Sequence, residues 1–185
     1  MEQPREYRHY TYADYCQWDD DQRWELIDGE AYAMSPAPKP RHQSIVGEIY
    51  GQLRDYLKGK PCKAFIAPFD VRLNATGQDD TVVQPDITVI CDRSKIDDKG
   101  CSGAPDFVVE VLSLASSRHD RLIKFNLYQR AGVREYWIVD PETDTVAIHL
   151  LENGKYTTAA YGDTGTAPVS ILPGCELNLQ EIFAE

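Results

Sequence analysis

The sequence predicts a mixed α/β (α+β) domain with a central, largely buried β-sheet flanked by helices. Three observations carry this expectation. Strand-like segments outnumber helical ones, only two segments read as long helices, and one strand candidate, Phe107–Leu112, is apolar on both faces apart from a single acid. No repeat, low-complexity tract or linker divides the 185 residues, so residues 1–185 are expected to form a single domain.

Thr11 followed by Asp14 signals the N-cap of a short helix over Tyr12 to Trp18, and Asp19-Asp20-Asp21 reads as the solvated turn that ends it. Arg23 to Ile27 and Glu30 to Met34 flank Asp28-Gly29, a two-residue hairpin turn whose positions need positive φ. Pro40 to Leu57 places Ile45, Val46, Ile49, Leu53, Tyr56 and Leu57 on one helical face and stops at Lys58-Gly59. Strands are expected at Cys62–Leu73, Val82–Ile90 and Asp106–Ser113. Between the last two, Cys91 to Pro105 is polar and broken by Gly100 and Gly103, so a long loop is expected. Arg118 to Ala131 is the second main helix, stopped by Gly132. Strands follow at Glu135–Asp140, Thr145–Glu152 and Lys155–Tyr161, then a loop over Asp163 to Pro168 and a turn of helix near Leu179–Phe183.

Charge narrows the function. With 19 Lys+Arg against 30 Asp+Glu the net charge is -11, which argues against a general polyanion binder. The basic residues are nevertheless concentrated. Lys39, Arg41, Arg54, Lys58, Lys60 and Lys63 fall in residues 39–63, and Arg118, Arg121, Lys124, Arg130 and Arg134 in residues 118–134. A nucleic-acid substrate therefore stays open, with weak, salt-sensitive and metal-dependent binding confined to one face. The N-terminus has no apolar leader segment and the apolar runs fall short of the ~20 residues that span a bilayer, so a cytoplasmic protein is expected. Five scattered cysteines without Cys-x-x-Cys read as reduced thiols, and four unpaired histidines argue against structural zinc.

Two strand candidates carry an acid where the pattern asks for an apolar residue. Glu110 sits at the centre of Phe107-Val108-Val109-Glu110-Val111-Leu112, and a buried, unpaired carboxylate costs several kcal/mol, so it must be protonated, paired or metal-bound. In Val82 to Ile90, Val83, Pro85, Ile87 and Val89 make an apolar face, while Gln84, Asp86 and Thr88 make the other polar. Pro85 gives no ladder hydrogen bond and marks an edge, a bulge or a strand start. On neighbouring strands Asp86 and Glu110 can approach to about 5 Å between Cβ atoms, close enough to share a cation. Asp106 and Glu110 cannot, being about 13 Å apart along one strand.

Lys124 shares a helical stripe with Leu127, Tyr128 and Ala131. It either pairs with Asp120 one turn earlier or points at the strand acids. Glu25, on the parity of Ile27, is a fourth candidate. Two acids and a lysine so placed suit Mg²⁺ or Mn²⁺ and phosphodiester hydrolysis, with the lysine orienting water or stabilising developing negative charge.

Pro85-Asp86, Val109-Glu110-Val111-Leu112-Ser113, Asp120 to Lys124, Tyr128 and the run Gly132-Val133-Arg134-Glu135-Tyr136-Trp137-Ile138-Val139-Asp140 resemble the Uma-two family, a restriction-endonuclease-like group within the PD-(D/E)xK nuclease superfamily. Trp24 to Glu30 and the helix beginning at His42 extend the resemblance over about residues 10 to 183. It implies a restriction-endonuclease-like core and a divalent-metal nuclease site. Asp86 and Glu110 match its metal-binding acids, Glu25 a third acid that completes the metal site, and Gln84 a supporting neighbour. Leu112 stands where the superfamily has lysine, and the match for that lysine is Lys124 on the following helix. The resemblance also implies a homodimer. The leading function is a Mg²⁺-dependent endonuclease acting on DNA. The alternatives are a catalytically inactive nucleic-acid-binding or protein-interaction module on the same scaffold, or a carboxylate-pair hydrolase such as a glycosidase.

Overall fold

A computed structural model describes residues 8–19, 21–34, 39–113 and 120–184. The middle residue of the Asp19-Asp20-Asp21 turn and the start of the expected Arg118 helix lie outside the described residues. The N-terminal helix is a single turn, α1 (Tyr12–Tyr15), shorter than expected and closed by Asp14, whose carboxylate accepts from Thr11 N at 2.9 Å and Thr11 Oγ1 at 2.8 Å. The hairpin β1 (Trp24–Ile27) and β2 (Glu30–Ala33) turns on Asp28 at φ 52° and Gly29 at φ 79°. Gly29 is required twice over, since a Cβ there would also meet the His9 ring at 2.3 Å.

Helix α2 runs over Pro40–Leu57, as its periodicity predicts, with Pro40 in the first turn where its missing N–H costs nothing. The two long strand candidates after it each divide in two. Cys62–Leu73 becomes β3 (Lys63–Ile66) and β4 (Val71–Arg72), interrupted at Pro68. Val82–Ile90 becomes β5 (Val82–Val83) and β6 (Ile87–Ile90), interrupted at Gln84-Pro85-Asp86. In both cases a proline interrupts the ladder and the chain passes between sheets. The face assignment changes accordingly: Val83 enters one core, Ile87 and Val89 another. The expected loop from Cys91 to Pro105 holds a 3₁₀ turn (Arg93–Lys95) and a small hairpin, β7 (Ile96–Asp97) and β8 (Gly100–Ser102).

Strand β9 (Phe107–Val111) leads through a π-helical turn (Asp120–Lys124) into α3 (Phe125–Ala131), capped by Gly132 at φ 88°. Then come β10 (Glu135–Asp140), β11 (Thr145–Glu152) and β12 (Lys155–Tyr161) at their predicted limits. The expected loop near Pro168 contains β13 (Thr166–Pro168), which pairs with β14 (Glu176–Asn178) before the final helix α4 (Leu179–Phe183).

The described residues form two six-stranded sheets, ordered β2-β1-β5-β4-β8-β7 and β12-β11-β10-β9-β6-β3, beside the β13–β14 pair. Both are mixed, since β9–β10 and β4–β8 are parallel while the other pairs run antiparallel. One core packs α2 and α4 on the second sheet, through Ile45, Ile49, Leu53, Val109, Trp137 and Ile182. The other lies between the sheets and under α3, through Ile27, Val83, Val108, Leu127, Tyr128 and Ile138. Because β9 and β10 are parallel neighbours, the α3 segment is their crossover and packs back over the strand it has just left. No helix among the described residues is long and apolar enough to cross a membrane.

The expectation of five reduced thiols is corrected. Cys62 and Cys91 are bonded at 2.08 Å, while Cys16, Cys101 and Cys175 are free. Register explains it: Lys63 pairs with Ile90 across β3–β6, so the residues flanking that pair face each other although 29 apart in sequence.

Candidate active site

Glu110 reaches the site because β9 is covered on both faces and its register is fixed by β6 and β10. Ile87 opposes Val109, so the next position along the antiparallel ladder sets Asp86 opposite Glu110. The strands that carry the two acids are thus neighbours, as the sequence geometry required. Glu110 is 4% exposed and turns its carboxylate toward α3. There Lys124 Nζ lies 2.8 Å from Glu110 Oε1, and Tyr128 Oη donates to the same oxygen at 2.8 Å.

Lys124 therefore meets the strand acids, and not only one of them. Its Nζ also lies 2.9 Å from Glu25 Oε1, on β1 of the other sheet. Lys124 and Glu25 are each 4% exposed. The ammonium joins the two sheets where two buried carboxylates would otherwise face each other across low-dielectric space. Burial, followed by the charge of Glu110, holds the Tyr128 hydroxyl well above its ordinary range, so it stays a proton donor.

Asp86 behaves differently. Its side chain is 21% exposed, and its Oδ2 accepts from Val111 N at 2.8 Å, replacing the ladder acceptor lost where β6 diverges at Pro85. His42 Nε2, in the first turn of α2, lies 3.4 Å from that oxygen and 2.9 Å from Val111 O. The other oxygen of Asp86 accepts no hydrogen bond from the described residues.

Gln84 supports the site through its main chain, its N–H donating to Glu25 Oε1 at 3.0 Å. Its side chain belongs to a separate network, accepting from Arg23 and donating to Tyr15 Oη and to Asp70 Oδ1 at 2.8 Å. Burial, then the charge of Asp70, raises the Tyr15 hydroxyl above its usual range. Sequence patterning did not single out Asp70, because only the pairing of β4 with β5 brings it to Gln84. Asp106 is excluded from the site as expected. It caps Cys91 N at 2.7 Å and pairs with Arg134 at 3.2 Å.

Among the described residues, no three of His, Cys, Asp and Glu gather closely enough to ligate one ion. The three-carboxylate set Asp86, Glu110 and Glu25 is not assembled around one point, because Lys124 stands between Glu25 and Glu110. The opposed pair Asp86 and Glu110 still fits a hard cation. Two carboxylates, Glu25 and Glu110, share the one ammonium, Asp86 keeps an oxygen uncommitted, and Mg²⁺ needs only one or two carboxylates alongside water.

This fold and cluster define a restriction-endonuclease-like α/β protein. The fold is shared with the crystal structure of a "putative nuclease belonging to DUF820" from Anabaena variabilis, at TM-score 0.76 and 20% identity over 95% of this chain and 98% of that one. The Uma2 family model, described as "Putative restriction endonuclease", matches residues 12–180, and the chain belongs to this family. It is also 32% identical over 152 residues to the uncharacterized protein slr1290 of Synechocystis sp., covering 80% of this chain and 78% of that protein.

The run Gly132 to Asp140, the most specific part of the sequence likeness, serves structure. Glu135 is fully buried, accepts from Trp137 Nε1 at 2.7 Å and from Ile171 N at 2.9 Å, and burial raises its pKa. It ties β10 to the strand β13–β14 region and takes no part in the site.

Proposed function

We propose that the protein is a metal-dependent endonuclease that hydrolyses phosphodiester bonds in DNA. Asp86 and Glu110 hold Mg²⁺ or Mn²⁺, and a bound ion supplies Lewis acidity toward the phosphoryl oxygen. Lys124 stabilises negative charge developing on the phosphate. Glu25 positions Lys124, since its carboxylate oxygen is already shared between the ammonium and the Gln84 N–H. The observation that carries the proposal is the lysine on the crossover helix reaching 2.8 Å from the acid at the centre of β9. This gives the site a fixed cation where the strand itself offers only Leu112.

Low dielectric makes such a preorganised cation far more effective than the same charge in water. Tyr128 adds a hydrogen bond that holds the Glu110 carboxylate in place. In the same proposal two copies of the chain form a homodimer, which sedimentation would test.

The experiment is cleavage of supercoiled plasmid and of a single-stranded oligonucleotide in Mg²⁺. Wild type should cut. Asp86→Asn and Glu110→Gln, both nearly isosteric, should each lose on the order of 100-fold or more. Equal background cleavage by all three would sink the proposal. A calorimetric titration with Mn²⁺ separates the non-cleaving alternative, since intact acids without divalent affinity would leave only a binding module.

A further inference from the structure

The basic residues that the sequence concentrates in two segments do not all border the candidate site. Several are paired with carboxylates, Arg41 with Asp144 at 2.7 Å, Lys124 with Glu25 and Glu110, and Arg130 with Asp28 at 2.6 Å, while Arg134 pairs with Asp106, away from the site. Another group gathers at the opposite end of α2. Arg54, Lys58, Lys60, Lys63 and Arg93, with Tyr50, line a cavity of about 490 Å³ floored by Cys62 of the disulfide. In this chain of net charge -11, five of the 19 basic residues face one concavity. Asp55 is the carboxylate paired with this group, 2.9 Å from Lys58 and 3.8 Å from Arg54, and all three side chains are well exposed.

The cavity is built. Arg93 is anchored by donating to Pro61 O at 2.9 Å, and Lys60 is held by Tyr56 O at 2.9 Å with its ammonium 4.1 Å above the Tyr56 ring. The Cys62–Cys91 bond fixes the strand ends beneath them. Cations gathered in this way attract anions, and their spread around a cavity rather than at one point suits a chain of phosphates. From His42, beside Asp86, to Lys58 the helix rises about 24 Å, the length of roughly seven nucleotide steps along one strand.

We infer that this pocket grips the phosphate backbone of a nucleic-acid substrate at a distance from the cutting site. The inference takes its substrate class from the nuclease reading above. It explains how an acidic protein holds a polyanion: attachment is local, and it is placed where the negative charge of the acid cluster does not reach past screening at about 10 Å in ordinary salt.

The test measures binding alone. Fluorescence anisotropy of a labelled 30-base-pair duplex is followed against NaCl concentration for Asp86→Asn and for the same protein carrying Lys58→Gln, Lys60→Gln and Lys63→Gln, without divalent ions. All three lysines are exposed, so the melting temperature should not change. The slope of log Kobs against log[NaCl] should fall in magnitude by about 2 to 3 on losing three phosphate contacts. An unchanged slope, or no duplex binding before the lysines are removed, would overturn the inference. Orthophosphate binding one-to-one and lost in the lysine variant, with the slope unchanged, would overturn it in favour of a small-anion site. A protein that shows the slope change yet never cuts DNA keeps the pocket and loses the nuclease reading, so the two fail separately.

Discussion

Lys124 and Lys58 each hold a carboxylate within 3 Å, yet they belong to different physical regimes. Lys124 is 4% exposed and sits between two buried glutamates, while the Lys58 side chain is 70% exposed beside an equally open Asp55. At equal distance, the buried contact fixes geometry and resists salt, whereas the exposed one is screened and exchanges freely with other anions. Each suits its proposed task. Chemistry at a phosphate needs a cation that does not move, and holding a passing strand needs cations that trade partners easily.

The largest expected break in this comparison is Lys124→Met. Two buried carboxylates would lose their shared cation, and urea unfolding should show a loss of about 3–5 kcal/mol. Removing one of the two facing negative charges with Glu25→Gln in the same chain should recover part of it.

Next in size is the disulfide beneath the basic pocket. Replacing Cys62 and Cys91 with serine opens a crosslink spanning 29 residues and should lower stability by about 3 kcal/mol, read as a fall in Tm. Turnover of bound DNA by the folded protein should be unaffected, because the bond lies at the far end of α2 from Asp86, while binding to DNA should weaken as the pocket above the bond loosens.

Acid sensitivity gives a third test, at a histidine outside both regions. His149 packs its ring against Phe125, Tyr136 and Tyr156, and burial lowers its pKa to about 4. The unfolded chain therefore binds a proton between about pH 6.5 and 4 that the folded chain refuses, and stability falls as pH drops through that window. The loss should be on the order of 3 kcal/mol. His149→Phe should remove this dependence in denaturation curves taken at several pH values. Buried Glu135 acts in the opposite sense, because its raised pKa favours the fold at low pH and loses that advantage as pH rises. The comparison with His149→Phe isolates the histidine from it.

The smallest effect belongs to the exposed pair Arg130 and Asp28, both more than half exposed. Arg130→Ala should change stability by less than about 1 kcal/mol, and still less in high salt.

What could be read in the sequence follows from how local its cause is. The limits of α2 and of β10, β11 and β12, and the Asp28-Gly29 turn, are set by periodicity and φ preference within a few residues. Pro85 signalled a break in Val82–Ile90, but the crossing between sheets was hidden because alternation continues unbroken through Gln84-Pro85-Asp86. The β7–β8 hairpin was hidden because strands of two and three residues have no period. At the site, Glu110 stood out as an acid between two apolar faces, and Lys124 as a cation on an apolar stripe. Their union with Glu25 depends on sheet packing, which no spacing reveals. The gathering of Arg93 with the end of α2 is hidden for the same reason, being separated by 30 residues and more.

Gln84-Pro85-Asp86 joins the two sheets, and its neighbours in space give it a mechanical role. The Gln84 amide holds Glu25 in the first sheet, and the Asp86 carboxylate holds the Val111 amide in the second. Three consecutive residues thus tie a carboxylate of one sheet to the backbone at the crossing, and a backbone amide of the other sheet to a carboxylate at the crossing. Because Lys124 binds Glu25 of one sheet and Glu110 of the other, the spacing of the site is fixed by how the two sheets pack at this crossing.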